Sequence, residues 1–294
     1  MTYSIVARDP ATGALGVAVH SCFFAVGALV PWARPGVGVV ASQAFTDPAY
    51  GPRCLEALAA GASAAEALDK ATAADPAPAL RQVGVVAADG SVAAHTGAGC
   101  IDHAGHLTGD GFAVQANMMA NSSVWPAMAE AYTAATGPLP HRLLAALNAA
   151  QAAGGDARGV MAAALVVVGG APGDGWLLNL RVDRSADPLG ELARLLQAAD
   201  AYQRFTRATD ELFGGDVQAA LADVEAGLGV LPGEPNLLFL RAGALLARGD
   251  IESGRRALRS LLAAHPGWEV IIRSFAAKGL LPLPAAASVE QLLA

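Results

Sequence analysis

Cysteine is scarce, with Cys22, Cys54 and Cys100 the three in 294 residues. An odd number at wide spacing argues against a disulfide framework and fits reduced thiols. Charge is scarce too, at 15% of residues with a net of −7. An acidic chain without a dense basic patch gains no counterion-release affinity for nucleic acid or an anionic membrane surface, so neither is expected as a partner. Hydrophobic residues reach 54%, but Ala and Gly supply much of that, and no run approaches the ~20 apolar residues of a membrane span. A basic segment followed by an apolar stretch is missing near the start, where Arg8 and Asp9 interrupt the apolar run. The expected location is therefore cytoplasmic.

What is present is a large soluble core, in one domain or in a domain of roughly 200 residues with a smaller partner. From Tyr3 to about Arg184 strand-like and helix-like segments alternate. The segments 3–7 and 15–19 read as a hairpin closed by DPATGA, and 36–45 as another strand. Alanine-rich 52–74 suits one or two helices broken at Gly61, with Ser63 and Glu66 in a capping box. A second hairpin is expected over 83–88 and 92–95, then a strand at 112–118, helices at 124–135 and 140–153, and strands at 162–168 and 176–182. This order suggests an α+β protein in which two antiparallel sheets are covered by paired helices.

After about Asp187 the pattern changes to a long amphipathic helix, and two signals then recur. Gly215-Asp216 returns at Gly249-Asp250 and Pro232 at Pro266, both after the period of tetratricopeptide helix pairs. Ala220 and Gly254 fall where a small residue lets two helices approach. The expected division is residues 1–201 and a helical-repeat domain over 202–294.

The opening MTYSIVARDP raises the first chemical possibility. Loss of Met1 would leave Thr2 with a free α-amine and a hydroxyl on one residue, a nucleophile together with its own general base. An α-amine titrates near ~7.7–8.0, so part of it is unprotonated at neutral pH. A competing cluster, His95, Cys100, Asp102, His103, His106 and Asp110, holds metal-ligating residue types. Its glycines make it a loop without regular ligand spacing, and no metal or other cofactor is expected. His20 beside Ser21 or Cys22 is not a catalytic pair, because strand neighbours point to opposite faces.

The run TYSIVARDPATGALGVAVHSCFFAVGALVPWARPGVGVVASQAFTDPAYGPR resembles the opening of the domain of unknown function 1028 family, placed among the N-terminal-nucleophile hydrolases. RQVGVVAADG, TGAGCIDHAGHLTGDGFAVQANMM and LNLRVDRSADPLGELARLL continue the resemblance in order, over roughly residues 2–201. It implies a four-layer αββα sandwich and, by analogy within the superfamily, hydrolysis of a C–N amide bond in a small molecule through an acyl-enzyme. By position Thr2 matches the nucleophile. The polar residues expected to face it are Ser21, Gln43 and Asn117: Ser21 to orient the amine, Asn117 to donate to an oxyanion, Gln43 to bind substrate. Arg34, Arg81, Arg158 and Arg181 are candidates for a substrate carboxylate, Arg34 and Arg181 foremost. The alternative is a non-catalytic ligand-binding or assembly protein whose helical repeats take a peptide or protein partner. A homo-oligomer is expected in either case.

Overall fold

The computed structural model describes residues 2–281. It divides into two compact units, Met1–Leu196 and Gln197–Ala294, so the boundary expected after residue 201 falls after Leu196. Among the described residues no helix is long and apolar enough to cross a membrane.

In the first unit β1 (Thr2–Arg8) and β2 (Leu15–Ser21) form the expected hairpin. The strand expected over 36–45 forms as β4 (Gly38–Ala44), and before it lies a strand the sequence pattern did not suggest, β3 (Pro31–Arg34). Only four residues long and half-buried, β3 is too short to show alternation. Next come α1 (Tyr50–Ala59) and α2 (Ala64–Ala73), separated where Gly61 takes φ +91 and Ser63 closes the capping box with Glu66. Then follow β5 (Arg81–Ala87), β6 (Val92–Thr96), β7 (Gly105–Gly109) and β8 (Phe112–Asn117). Strand β7 lies inside the stretch expected to be a loop. Its GHLTG sequence has weak strand propensity, and it forms because β8 pairs with it and because Gly105, lacking a side chain, admits the Trp125 ring. The unit ends with α3 (Val124–Ala134), α4 (Leu139–Ala152), β9 (Ala162–Val168) and β10 (Trp176–Val182).

All strand pairs are antiparallel and make two sheets, ordered β10-β9-β2-β1-β8-β7 and β3-β4-β5-β6. The sheets face each other across Val6, Val17, Val19, Val39, Ala41 and Val86. Tyr50, Leu55, Leu58 and Leu68 of α1 and α2 pack on Val40, Val83 and Val85, the outer face of the smaller sheet. Helices α3 and α4 lie against the larger sheet, where the Tyr3 hydroxyl donates to Gln151 Oε1 at 2.9 Å.

The two ends of this body differ. One is closed by the turns of the β1–β2, β3–β4, β5–β6, β7–β8 and β9–β10 hairpins. Every connection between the sheets, or between a strand and a helix, leaves from the other end, where β1 begins. Long loops gathered on one rim of a rigid scaffold are where binding and catalytic groups concentrate.

The second unit takes up the later part of α5 (Pro188–Gly214), then α6 (Val217–Val230), α7 (Pro235–Ala247), α8 (Ile251–Ala264) and α9 (Trp268–Ala277). The recurring Gly-Asp pairs do the same local job twice. Gly215 and Gly249 take φ +87 and +86, and the following aspartates cap α6 and α8 by accepting the N–H of Ala219 and of Ser253. Gly254 sits against Leu246 so closely that a side chain there would collide with it.

His20, on the helix-covered face of the larger sheet, stacks on Tyr3 with ring centroids 4.7 Å apart. Neither ring nitrogen has a hydrogen-bond partner among the described residues. Burial lowers its pKa to about 4 from 6.5, against a smaller opposing effect of Asp156. Because the unfolded chain takes up this proton first, the contribution to stability is complete above pH 6.5 and is lost as pH falls towards 4. His20→Leu is expected to remove up to about 3 kcal/mol of that loss, measured as urea unfolding between pH 7 and 4. Asp250→Ala is expected to lower the denaturant midpoint by removing the α8 cap.

Candidate functional site

Alternation along each strand, combined with antiparallel pairing, builds the site. The inner faces carry Thr2-Ser4-Val6 on β1, Val17-Val19-Ser21 on β2, Val39-Ala41-Gln43 on β4, Gln82-Gly84-Val86 on β5 and Ala113-Gln115-Asn117 on β8. Each face is apolar towards one end and polar towards the other. The polar residues begin β1 and β5 but finish β2, β4 and β8, so pairing brings them all to the long-loop end. Thr2, Ser4, Ser21, Gln43, Gln82, Gln115 and Asn117 are all buried.

Thr2 is flanked in register by Ser21 on one side and Asn117 on the other. Its hydroxyl donates to Ser21 Oγ at 3.1 Å. Its carbonyl accepts from Gln43 Nε2 at 3.1 Å and, more loosely, from Asn117 Nδ2 at 3.5 Å. Removal of Met1 concerns a residue outside the described ones.

Gln82 sets the orientation of these amides. Its Nε2 donates to the carbonyls of Ala116 at 2.9 Å and Gly105 at 3.2 Å, and to Thr96 Oγ1 at 3.0 Å. Main-chain carbonyls only accept, so the nitrogen has to lie on that side. The Gln82 oxygen is thereby turned to Gln43 Nε2 and Asn117 Nδ2, both at 2.8 Å. Those two amides must present nitrogen to it, which aims the same nitrogens at the Thr2 carbonyl. Gln43 Oε1 in turn accepts from Ser4 Oγ at 2.6 Å, and Ser4 Oγ accepts from Gln115 Nε2 at 2.6 Å. A side chain on Gly84 would collide with the Gln115 amide.

The backbone leaves this cluster under strain. Ala44 (φ +70) follows Gln43, and Met118 (φ +57) follows Asn117. The left-handed region costs a non-glycine residue roughly 1–2 kcal/mol, sustained by surrounding structure.

Arg81 and Arg158 stand beside this cluster, and each is held in an ion pair. Asp75 accepts from Arg81 Nε at 2.8 Å and from the Tyr50 hydroxyl at 3.0 Å. The Arg81 bond leads in holding that carboxyl down to about 2. Asp156 accepts from Arg158 Nη2 at 2.8 Å and from the Cys22 N–H at 3.0 Å.

Of the residues expected at the site, the structure brings together Thr2, Ser21, Gln43 and Asn117. Gln43 is wholly buried with its amide committed on both sides, so it holds Thr2 from within and presents no group to a bound molecule. Arg34 and Arg181 are not brought there. Arg34 pairs with Gly38, at the far end of β4 from Gln43. Arg181 lies on the outer strand β10 in an ion pair with Asp183 at 2.9 Å. The histidines of the glycine-rich stretch have separate partners: His95 meets the Pro78 carbonyl, His106 meets Thr96 Oγ1 and His103 meets Ser122 Oγ. Among the described residues no group of three or more His, Cys, Asp or Glu side chains gathers to hold a metal. Sequence reasoning missed Ser4, Gln82 and Gln115. The signal was present, since each is polar at an inner-face position whose same-face neighbours towards the hairpin end are Val, Ala or Gly.

A cavity of about 910 Å³ lies in the second unit, lined by Phe205, Phe213, Phe239, Trp268 and Phe275 among others.

Fold and site together define an α+β protein of two facing antiparallel sheets, with a buried cluster of hydroxyls and amides where its first strand begins. The chain belongs to the DUF1028 family: the model described as "Family of unknown function (DUF1028)" matches residues 2–192. It is similar to the crystal structure of protein SPO2555 from Silicibacter pomeroyi, also assigned to DUF1028. The TM-score is 0.63 and the identity 35%, covering 67% of this chain and 85% of that one. No curated protein matches the chain.

Gln82→Leu would leave the amides of Gln43 and Asn117 and the Ala116 carbonyl without their buried partner. At ~1–3 kcal/mol for each group left unpaired, the expected loss is at least about 3 kcal/mol by urea unfolding. Gln218→Leu, on an exposed helix face, should change stability by less than about 0.5 kcal/mol.

Proposed function

We propose that this protein is an amidohydrolase acting on a small molecule, with Thr2 as an N-terminal nucleophile after removal of Met1. The observation that carries the reading is the setting of Thr2: it opens a central strand, its hydroxyl is 3.1 Å from Ser21 Oγ, and its carbonyl is gripped from two sides. A nucleophile that is also its own base needs this rigidity, because hydroxyl and amine share one residue and orientation alone decides whether attack is possible. Helices outside both sheets fit the αββα sandwich of N-terminal-nucleophile hydrolases.

In this mechanism the α-amine takes the proton from Thr2 Oγ1, which attacks the substrate carbonyl carbon. The negative charge goes to the carbonyl oxygen. Asn117 Nδ2 holds Gln82 tightly and the Thr2 carbonyl loosely, and its loosely held proton turns to the oxyanion. Collapse breaks the C–N bond, and the leaving nitrogen takes the proton from the amine. Water, deprotonated by the same amine, then attacks the threonine ester, releasing the carboxylic acid and restoring Oγ1–H. Ser21 fixes the direction of Oγ1. The steps need no metal or redox partner to balance.

A second reading has its own support. The aromatic cavity of the second unit and the twice-used Gly-Asp turn suit a tetratricopeptide-like unit that binds a peptide or protein, with the first unit as a platform.

Mass spectrometry of the active protein is expected to show a chain starting at Thr2, and an active enzyme that retains Met1 would end the catalytic reading. Thr2→Ala should lower kcat by at least about a thousandfold, while Thr2→Ser keeps measurable activity. The rate should rise with pH through the α-amine titration near ~7.7–8.0.

A further inference from the structure

Six of the nine large apolar side chains exposed in the first unit sit at the end where Thr2 lies: Phe23, Phe24, Leu29, Phe45, Leu80 and Ile101. Exposure of single apolar residues is ordinary, but collection on one rim marks a binding surface. The four most exposed are Phe24 at 61%, Phe23 and Phe45 at 52% and Ile101 at 44%. Each is tied to a site residue through the chain or a backbone bond. Phe23 and Phe24 follow Ser21 on the segment that leaves β2. Phe45 is two residues past Gln43, and its N–H reaches the Leu80 carbonyl, next to the start of β5. Ile101 accepts from the N–H of Met118, the residue after Asn117.

The charges at this end leave little to attract an ion. Arg81, whose Nη1 donates to the Phe45 carbonyl, is neutralised by Asp75, and Arg158 by Asp156. Exposed Arg53 faces Asp47 at 3.9 Å, and the exposed charges that remain have both signs: Asp102 beside Ile101, and Arg184 and Asp187 beyond the outer strand β10. A rim of phenylalanines around buried amides, where the remaining exposed carboxylates outnumber the one remaining cation, selects against a carboxylate.

We propose that the substrate is an amide bearing an uncharged apolar group, and that Phe23, Phe24, Phe45 and Ile101 receive that group at the mouth of the Thr2 site. The choice of an amide rests on the reading of Thr2 as nucleophile; the apolar recognition does not. A hydrophobic contact of this size discriminates by about 10–200-fold. It also explains why strands that end in polar residues lead into loops carrying exposed aromatics.

The test uses the full chain with Met1 removed and three amides of 7-amino-4-methylcoumarin carrying phenylacetyl, acetyl or succinyl groups. The phenylacetyl amide is expected to exceed both others at least tenfold in kcat/KM. Its preference over acetyl should fall about tenfold in Phe24→Ala and in Phe45→Ala, a ratio that is insensitive to the amount of folded protein. Binding is read separately by ligand-observed NMR with 4-phenyl-2-butanone, the ketone isostere of N-benzylacetamide. If the ketone binds, loses binding in the double Phe24→Ala/Phe45→Ala variant, and no amide is cleaved, the apolar rim stands and the nucleophile reading falls. Equal cleavage of all three amides overturns the rim and leaves the nucleophile standing. A preference for the succinyl amide that disappears in Arg184→Ala also overturns it. So does sedimentation showing that Phe45→Ala splits an oligomer while ketone binding is unchanged, since the rim would then be an interface between copies.

Discussion

A carboxamide sealed between two sheets must satisfy its donors and acceptors with protein groups, because no bulk water reaches it. That constraint governs the end of the sandwich where the chain starts. Two immovable acceptors, the carbonyls of Ala116 and Gly105, decide which way Gln82 faces. Gln82 then decides how Gln43 and Asn117 face, and those two hold the carbonyl of Thr2. The orientation of one residue near the terminus is thus set by main-chain atoms of strands more than a hundred positions away in sequence. Removing any amide strands its partners, so the cluster behaves as a unit.

The apolar part of the body makes this possible. Valine and alanine fill the inner faces towards the hairpin end, locking the two sheets together, and this fixes the distances over which Gln43 reaches Thr2 and Gln82 reaches Asn117. Glycine at position 84 leaves the room that the Gln115 amide occupies. The left-handed conformations of Ala44 and Met118, directly after Gln43 and Asn117, show the cost, and the packed sheets sustain the strain. The ion pairs of buried Asp75 with Arg81 and of buried Asp156 with Arg158 brace the surrounding loops. They also remove these arginines from the pool of groups able to greet a charged ligand.

The second unit obeys a simpler rule. Each aspartate after a left-handed glycine starts a new helix, and small residues let neighbouring helices close. Such local instructions repeat readily, which is why they could be read from spacing alone. Its aromatic cavity is different in kind: Phe205, Phe239, Trp268 and Phe275 come from three helices, α5, α7 and α9, and meet only on packing.

Sequence alone determined the features that depend on neighbours along the chain. The β1–β2 and β5–β6 hairpins, the break and capping box between α1 and α2, and the Gly-Asp caps all follow from turn chemistry and periodicity within a few residues. The grouping of Thr2, Ser21, Gln43 and Asn117 was legible once strand ends and family resemblance were combined. Strand β7 was not, because pairing with β8 overrides its weak propensity, nor was β3, too short to show a period. Only the tertiary structure decided that Gln82 commands the amides and that Arg34 and Arg181 stand away from Thr2. Those outcomes depend on which strands pair and which ends meet, a long-range choice made by burying apolar surface rather than by local preference.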